Sequence, residues 1–347
     1  MSSLYPLLFQ PNLHTTVWGG HQLRPYKGLT VTDDPIGESW EVSAVPTSTS
    51  IINNGEWSGR DLVSVIDEQP EAILGKAVNE RYQGKLPLLV KFIDARQDLS
   101  IQVHPDDEMA MREHGKMGKS EMWYVIKAAP GSRLYAGFEQ EITPDEYQRR
   151  IADGSITHVL ARHAVKTGDV FYIPAGRVHS IGAGIMLAEV QQSSDVTYRI
   201  YDYNRRGMDG NPRELHTALA AQAIDYHVEK KYRTEYKEVT NRAMKVIDTP
   251  DFVVRVMEVT ESFHRNLMKY DSFIISVCLE GDCKILIRST GDEILLREGH
   301  STLIPAAIAD YDIIPLQAKA RLLESFIDNM DRSLTGKVSR FLHATIG

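Results

Sequence analysis

Two stretches of this chain share one sequence frame, and this repeat constrains the fold more than any other feature. "GDVFYIPAGRVH" occupies residues 168–179 and "GHSTLIPAAIAD" occupies residues 299–310. Each begins with a glycine, continues through five residues to a proline, and ends with a polar residue five positions after that proline. A turn glycine and a proline that ends an apolar run are typical of a short strand that leads into the next strand. The repeat therefore predicts two related all-β units, each of them a jelly roll.

Most of the remaining chain also has a strand-like sequence, and helical patterns occur in three places. Short runs such as "LPLLVKFID" and "MWYVIKA" are rich in β-branched and aromatic residues. Helices are predicted over 61–82 with a break at Pro70, over 143–154, and over 213–226, where "NPRELH" begins with an Asn–Pro start signal. The predicted fold class is therefore mainly β, with two jelly-roll units and a few inserted α-helices.

The charged stretch at 228–242 is predicted to connect the two units. We expect a first unit over residues 1–240, which contains the helical insertions, and a C-terminal unit over residues 241–347. The first copy of the repeated frame ends in His179, whereas the second copy ends in Asp310. The functional site is therefore expected in the first unit, and the C-terminal unit is expected to lack a metal site.

The composition excludes several classes of protein. Of the 347 residues, 42% are hydrophobic and 25% are charged, as in an ordinary globular protein. The net charge of −8 is not offset by a long basic run, so no nucleic-acid partner is expected. No stretch approaches membrane-spanning length, and the N-terminal "MSSLYPLLFQ" lacks the basic region of a signal peptide. Two cysteines, predicted to be reduced, are too few for a disulfide scaffold, so the predicted location is cytoplasmic.

Four residues of the first unit have the chemistry of a metal site. Gln102 and His104 lie two positions apart in "LSIQVHPDD", so both side chains leave the same face of an extended strand. Glu121 begins the next strand-like run, and His179 follows the proline turn of the repeat. Two histidines and a carboxylate suit catalytic zinc with an open position, or the facial triad of a non-haem iron oxygenase.

These motifs carry a resemblance to a known family. "GDVFYIPAGRVH" fits the second sequence motif of the cupins, and "LSIQVHPDD", "GKSEMWYVI", "IPAGRVHSIGAG" and "AEVQQSSDVTYRIYDYNR" together resemble type I mannose-6-phosphate isomerases in their short bacterial form. The "VWGG" and "GESWEVS" segments extend the resemblance over most of the chain. The resemblance implies two cupin units, with the C-terminal one degenerate, and one zinc ion per chain. The zinc ligands it implies are Gln102, His104, Glu121 and His179, although some short-form members are described without the glutamine.

The resemblance also implies which residues line the substrate pocket. The substrate would be a hexose 6-phosphate, whose phosphate requires arginine or lysine at the pocket mouth. Lys119 lies two residues before Glu121 and therefore projects from the same face of its segment. The positions that match the family are Arg199 and Glu189, expected to be catalytic, and Lys119, Ser100, Asp195, Arg205 and Trp18, expected to bind the substrate. Arg205 falls where eukaryotic relatives carry a lysine, and the neighbouring Arg206 is expected to be solvated.

The predicted reaction is aldose–ketose isomerisation between mannose 6-phosphate and fructose 6-phosphate through a cis-enediol. A divalent cation beside the reacting oxygens would lower the barrier, and a carboxylate would move the proton between C1 and C2. Glu189 is the candidate base, and Arg199 either stabilises developing negative charge or holds the phosphate. The alternatives are a cupin oxygenase that uses iron at the same residues and a sugar-binding cupin without turnover. The expected partner is a small sugar phosphate, and the sequence also allows a homodimer.

Overall fold

The computed structural model describes residues 4–330, so residues 331–347 of the predicted C-terminal unit lie outside it. The described chain is mainly β and contains 22 strands and seven α-helices, which confirms the predicted fold class. The strands of the first part are β1 (Leu7–Leu8), β2 (Leu13–Gly20), β3 (Ile36–Val42), β4 (Leu88–Ala95), β5 (Ile101–Val103), β6 (Glu121–Ala128), β7 (Arg133–Phe138), β8 (Leu160–Ala164), β9 (Val170–Ile173), β10 (His179–Ser180), β11 (Ile185–Gln192), β12 (Tyr198–Tyr201) and β13 (Arg233–Thr234).

The remaining strands follow without a further α-helix. They are β14 (Met244–Asp248), β15 (Val253–Val259), β16 (Phe263–Asn266), β17 (Ile274–Glu280), β18 (Cys283–Ile287), β19 (Glu293–Leu296), β20 (Ser301–Ile304), β21 (Asp310–Pro315) and β22 (Ala320–Phe326). The helices are α1 (Leu23–Tyr26), α2 (Leu62–Glu68), α3 (Pro70–Leu74), α4 (Lys76–Tyr82), α5 (Asp107–His114), α6 (Pro144–Ala152) and α7 (Thr217–Ala223).

The strands form four antiparallel sheets in two pairs. A seven-stranded sheet in the order β13-β9-β6-β11-β4-β2-β3 packs against a five-stranded sheet in the order β12-β5-β10-β7-β8. A six-stranded sheet in the order β1-β20-β17-β22-β15-β14 packs against a four-stranded sheet in the order β16-β21-β18-β19. The N-terminal strand β1 thus pairs with β20, far along the chain. We call the first pair of sheets barrel 1 and the second pair barrel 2.

Strand β4 shows how the barrels join. Every residue of β4 is buried, because the strand is covered on both faces. Val90 and Phe92 point outward into an apolar core shared with Val254 and Ile275 of barrel 2. The alternate residues, such as Ile93, point into barrel 1. The outer faces of the two large sheets therefore pack on each other, as sheets with apolar faces do.

The repeated frame has the same structure in both copies. β9 and β20 each precede the proline, and β10 and β21 each begin at the last residue of the frame, His179 and Asp310. The strand registers then identify further equivalent positions. Gln102 is opposite His179 as Asn266 is opposite Asp310, and Glu121 is opposite Ile173 as Ile274 is opposite Ile304. Barrel 2 therefore has Asn266, Ile274 and Asp310 where barrel 1 has Gln102, Glu121 and His179.

The helix predictions were partly right. Three helices occupy 61–82, with Pro70 at the first position of α3, and Thr143 caps α6 by accepting a hydrogen bond from the Glu146 amide. The start of the third helix was predicted wrongly, because α7 begins only at Thr217. Pro212 instead forms a β-bridge with Arg206. Helix α5, capped by the side chain of Asp106, was not predicted.

Two findings bear on the expected class of protein. No helix within residues 4–330 is long and apolar enough to cross a membrane. Cys278 and Cys283 are buried free thiols, as predicted, and the Cys278 thiol donates a hydrogen bond to the Gly281 carbonyl.

A buried ion pair joins the two barrels. The Lys27 ammonium lies 2.7 Å from the nearer carboxylate oxygen of Glu41 and donates to the Gly299 carbonyl at 2.7 Å. Glu41 also accepts hydrogen bonds from the hydroxyl groups of Ser39 and Ser301. Both charged side chains are almost inaccessible to solvent. Removing one partner alone would leave the other charge desolvated and uncompensated.

We therefore expect K27M to lower the free energy of unfolding by about 3 kcal/mol. The double variant K27M/E41M should recover most of that loss, because it removes both charges and keeps the volume filled. Urea unfolding followed by tryptophan fluorescence measures both. A single variant as stable as the wild type, or a double variant no more stable than K27M, would contradict this role.

Candidate functional site

Three predicted residues meet inside barrel 1. One ligand atom from each of His104, Glu121 and His179 lies within 4.8 Å of the others. The two Glu121 oxygens lie 3.4 Å from His104 Nε2 and 3.3 Å from His179 Nε2, respectively. All three side chains are buried, and neither Glu121 oxygen forms a hydrogen bond within residues 4–330. We call these three residues the ligand cluster.

The ligand cluster connects the two sheets of barrel 1. Glu121 is the first residue of β6 in the seven-stranded sheet, and His179 is the first residue of β10 in the five-stranded sheet. His104 directly follows β5, which is hydrogen-bonded to β10. Residues separated by some 75 positions of chain therefore converge because the inner faces of two packed sheets oppose each other.

Backbone carbonyl groups fix the orientation of both imidazoles. His104 Nδ1 lies 3.0 Å from the Val196 carbonyl oxygen, and His179 Nδ1 lies 2.8 Å from the Arg177 carbonyl oxygen. Because a carbonyl only accepts, each Nδ1 carries the proton, and each Nε2 presents a bare lone pair toward Glu121. Such a carbonyl partner is the usual outer support of a metal-ligating histidine.

The protonation states are also those of a metal site. Burial, followed by the nearby charge of Lys119, lowers the pKa of His104 to about 3. Burial likewise lowers the pKa of His179. Burial alone would raise the pKa of Glu121, but Lys119 and the two imidazoles hold that pKa well below its usual range. The cluster therefore consists of two neutral imidazoles and a carboxylate. The lone pairs of the imidazole Nε2 atoms and of the carboxylate oxygens face one another, and no proton lies between these atoms.

This donor set fits a divalent cation. Two imidazole nitrogens and one carboxylate oxygen, with room for a further ligand, match catalytic zinc sites. Gln102 borders the cluster, because its amide nitrogen lies 3.2 Å from His179 Nε2. A half-turn of that amide would present its oxygen in the same place, so Gln102 is positioned to become a fourth protein ligand. The Ser100 hydroxyl, 3.5 Å from the Gln102 amide oxygen, lies on the same face of the strand.

A cavity of about 360 Å³ adjoins the cluster and contains most of the predicted pocket residues. Trp18, Ser100, Gln102, Lys119, Glu189, Asp195 and Arg199 all line it. Lys119 contacts the cluster directly, with its ammonium 3.3 Å from a Glu121 oxygen. Trp18 is buried, and it also belongs to the core of barrel 1. Asp195 pairs with Lys116 at 2.6 Å rather than with one of the arginines.

Two rows of side chains cross the cavity. In the five-stranded sheet, Arg199, Gln102 and His179 are directly opposite one another on three neighbouring strands, so their side chains share one face. In the seven-stranded sheet, the row is Trp40, Lys91, Glu189 and Trp123. The edge of the Trp123 ring meets the His179 ring, with centroids 5.3 Å apart, and this contact joins the two rows.

Glu189 stands in an apolar and charged environment next to the cluster. One of its oxygens accepts a hydrogen bond from the Trp123 indole at 2.9 Å, and the other forms no hydrogen bond within the described chain. That second oxygen lies 3.6 Å from the ammonium of Lys91, which is 3.3 Å from Glu38. Burial and the Glu121 carboxylate raise the pKa of Glu189, although Lys91 opposes this.

The arginines in and shortly after "YRIYDYNRR" fall into two groups, those that line the cavity and those that do not. Arg199 and Arg213 line the cavity. Arg205 does not line it, because its guanidinium binds the Asp202 carboxylate and the Asp98 carbonyl. Arg206 is bound to the Gly210 carbonyl within its own loop.

The sequence interpretation missed three charged residues of the cavity, Glu38, Lys91 and Arg213. Lys91 had a usable signal, because it is the only basic residue inside the apolar run "LPLLVKF" and a buried lysine requires a partner. Glu38 lies two positions before Trp40 in "GESWEVS", so the two side chains share a strand face. Arg213 was assigned to a helix start, which concealed its position beside Arg199.

The chain is similar in sequence to known proteins. Residues 7–124 match the family model described as "Phosphomannose isomerase type I, catalytic domain". A Bacillus subtilis protein named probable mannose-6-phosphate isomerase GmuF is 35% identical over 312 residues, which cover 89% of this chain and 96% of that protein. The mannose-6-phosphate isomerase of Streptococcus mutans is 32% identical over 307 residues, covering 88% of this chain and 94% of that protein.

The fold is similar to that of solved structures. The crystal structure of the mannose 6-phosphate isomerase from Bacillus subtilis superposes with a TM-score of 0.81 at 29% identity, covering 92% of this chain and 99% of that one. The structural likeness therefore extends over both barrels.

The pKa values of the cluster predict how the stability of the metal-free protein depends on pH. Both imidazoles have a lower pKa in the folded chain than the ordinary value of 6.5. Below that value the unfolded chain binds more protons than the folded one, so stability falls as the pH falls. We expect His104 to contribute a loss of about 1.4 kcal/mol per pH unit between pH 6.5 and about pH 3, and His179 to add to the loss below pH 6.5.

Urea unfolding of chelator-treated protein at a series of pH values measures this slope. H104Q should remove the contribution of one histidine and flatten the curve. A curve for H104Q with the same slope as the wild type would contradict the burial of a neutral imidazole at this position.

Proposed function

This chain belongs to the type I mannose-6-phosphate isomerase family, and we propose that its cavity interconverts D-mannose 6-phosphate and D-fructose 6-phosphate with one zinc ion per chain. The observation that carries the proposal is the buried ligand cluster, which two cavity-lining residues, Gln102 and Lys119, contact. His104, Glu121 and His179 would hold the ion, with Gln102 as a fourth donor. When bound, zinc supplies Lewis-acid stabilisation of negative charge on the sugar oxygens.

The isomerisation moves a proton between C1 and C2 through an enediol, which requires a nearby base. Glu189 is our candidate because it lines the cavity and one of its carboxylate oxygens is buried without a hydrogen bond among the described residues. The Trp123 indole holds the other oxygen and so fixes the direction in which the carboxylate points. A raised pKa brings the carboxylate closer to the basicity that a proton carrier needs near neutral pH.

Lys91 would hold this carboxylate in place and favour its ionised form. Its ammonium lies between Glu189 and Glu38, and those two carboxylates raise the pKa of Lys91 although burial opposes them. The lysine therefore remains charged and does not compete as a base. His104 and His179 are unsuitable as bases as well, because their free nitrogens would ligate the ion.

Arg199 stands next to Gln102 on the neighbouring strand, so it lies between the cluster and the outer part of the cavity. From there its guanidinium would stabilise negative charge that develops on the substrate during the reaction. Ser100, Lys119, Asp195 and Trp18 would line the path of the sugar. Arg205 would contribute indirectly, through its bond to Asp202.

Family membership favours the isomerase over the two alternatives, an iron oxygenase at the same residues and a sugar-binding cupin without turnover. An oxygenase would consume oxygen, and a binding protein would not need the ligand cluster for its function.

A cytoplasmic location remains our proposal, and so does the division into units at residue 240. A homodimer also remains a proposal.

The first test concerns the metal. Removing bound metal with a chelator should abolish fructose 6-phosphate formation from mannose 6-phosphate, and added zinc should restore it. A coupled assay measures the product, and elemental analysis shows whether the ion has left. Full activity of protein shown to be metal-free would contradict the proposal.

The second test concerns the base. E189Q should lower kcat by about 100-fold or more while the zinc content stays unchanged, because a positioned base contributes roughly this factor. Exchange of deuterium from the solvent into the substrate should fall in parallel. E38Q is the matched control, since it removes a carboxylate from the same lysine, and its loss should be much smaller. Equal losses for E189Q and E38Q would point to charge balance around Lys91 instead.

A further inference from the structure

Two guanidinium groups face the same cavity, although only one of them had been expected there. Arg199 donates from Nη1 to the Glu214 carbonyl at 2.8 Å, and its buried Nε has no partner within residues 4–330. Arg213 contacts Asp202 through Nη1, at 3.2 Å from the nearer oxygen. No other side-chain bond of Arg213 is present in the described part of the chain. Two cations with unused donors on one cavity wall favour an anionic ligand between them.

The local charge is not balanced by the protein. Arg205 and Arg213 share one carboxylate, that of Asp202, and Arg199 forms no ion pair among the described residues. Arg205 binds the Asp202 carboxylate and also donates to the Asp98 carbonyl, and it does not line the cavity. The remaining positive charge is therefore concentrated on the side where Arg199 and Arg213 meet the cavity.

Arg213 is also held more firmly than an exposed arginine. The preceding loop is a closed hairpin, in which Arg206 bridges Pro212 and the Gly207 amide donates to the Asn211 carbonyl at 2.7 Å. Arg213 leaves the base of this hairpin, where Asp202 fixes its guanidinium. Gly207 of the same hairpin lines the cavity. A guanidinium oriented in advance loses less entropy when it binds an oxyanion.

The position of this group relative to the ligand cluster suits the length of the substrate. Arg199 and His179 lie on strands on either side of Gln102, so their backbones are about 10 Å apart. With C1 and C2 at the cluster, the opposite end of an extended hexose chain points toward the arginines. The phosphate on C6 would then meet the unused guanidinium donors.

We propose that Arg213 is the principal phosphate-binding residue of the cavity and that it sets the preference for phosphorylated over free sugar. Arg199 lies between this phosphate and the reacting carbons, and Asp202 is the positioning residue that orients Arg213. This assignment replaces Arg205 as the second cation of the site. It rests on the proposed function to the extent that the phosphate belongs to the substrate.

Kinetics with two substrates tests the assignment. R213Q should raise the KM for mannose 6-phosphate by about 10- to 100-fold, the range expected for losing hydrogen bonds to a charged group. Turnover of unphosphorylated D-mannose, measured at high concentration, should fall by a much smaller factor, because that sugar offers this guanidinium no phosphate. R213K should recover part of the affinity because it keeps the charge but not the planar fork. R206Q is the matched control, since it removes a charge from the same hairpin outside the cavity.

Three kinetic results would overturn the assignment. The first is a KM of R213Q equal to that of the wild type. The second is an equal loss of activity toward mannose and mannose 6-phosphate, which would indicate a structural defect. The third is a larger loss of affinity in R205Q than in R213Q, which would return the role to Arg205.

Binding of inorganic phosphate separates this inference from the proposed reaction, because it requires no turnover. Titration calorimetry should show binding to the wild type and to R206Q, and binding weakened by about 10-fold or more in R213Q. This result would support the phosphate site even if the protein proved inactive as an isomerase. Absence of binding to the wild type, or equal binding by R213Q, would refute it.

Discussion

The structure of barrel 1 depends on the burial of one carboxylate. Glu121 is inaccessible to solvent, and neither of its oxygens receives a hydrogen bond within residues 4–330. A desolvated carboxylate without partners costs several kcal/mol, and the Lys119 ammonium at 3.3 Å offsets only part of that cost. The two neutral imidazoles add lone pairs rather than donors. A cation would satisfy all three groups together, so the interior of this barrel is suited to a positive charge that the described side chains do not fully supply.

Antiparallel pairing explains how such a site arises from short strands. Residues that are directly opposite in neighbouring strands share a face, so one residue per strand suffices to form a row across a sheet. The row of Arg199, Gln102 and His179 provides ligands and positive charge. The row of Lys91, Glu189 and Trp123 in the opposite sheet provides the candidate base and its support. Each row lies on rigid strands, and the contact between Trp123 and His179 fixes their separation. Positions on strands hold reacting groups more accurately than loops do.

The sequence predicted those parts of the site that depend on strand alternation and on the repeat. The spacing of Gln102 and His104 placed both on one face, and the frame ending in His179 placed the third donor at a strand start. Tertiary contacts determined the rest. Lys91 was hidden in an apolar run because the sequence did not show that its strand has a cavity on one face. Arg213 was misassigned because an Asn–Pro signal typical of a helix start instead closes a hairpin through the bridge between Arg206 and Pro212. The helix-start signal fails here because a residue six positions earlier pairs with the same backbone.

Barrel 2 contains the same sequence frame without a buried carboxylate at the position equivalent to Glu121. Ile274 occupies the position equivalent to Glu121 and belongs to a continuous apolar core. Asp310, equivalent to His179, is partly exposed and pairs with His264 at 2.7 Å. An apolar core needs no cation, so barrel 2 gains stability where barrel 1 carries a desolvation cost. The two barrels pack through the outer faces of their large sheets and through the pair of Lys27 and Glu41. Barrel 2 therefore supports the seven-stranded sheet, which contains Glu121 and Glu189. The duplication thus assigns chemistry to one copy of the fold and structural support to the other.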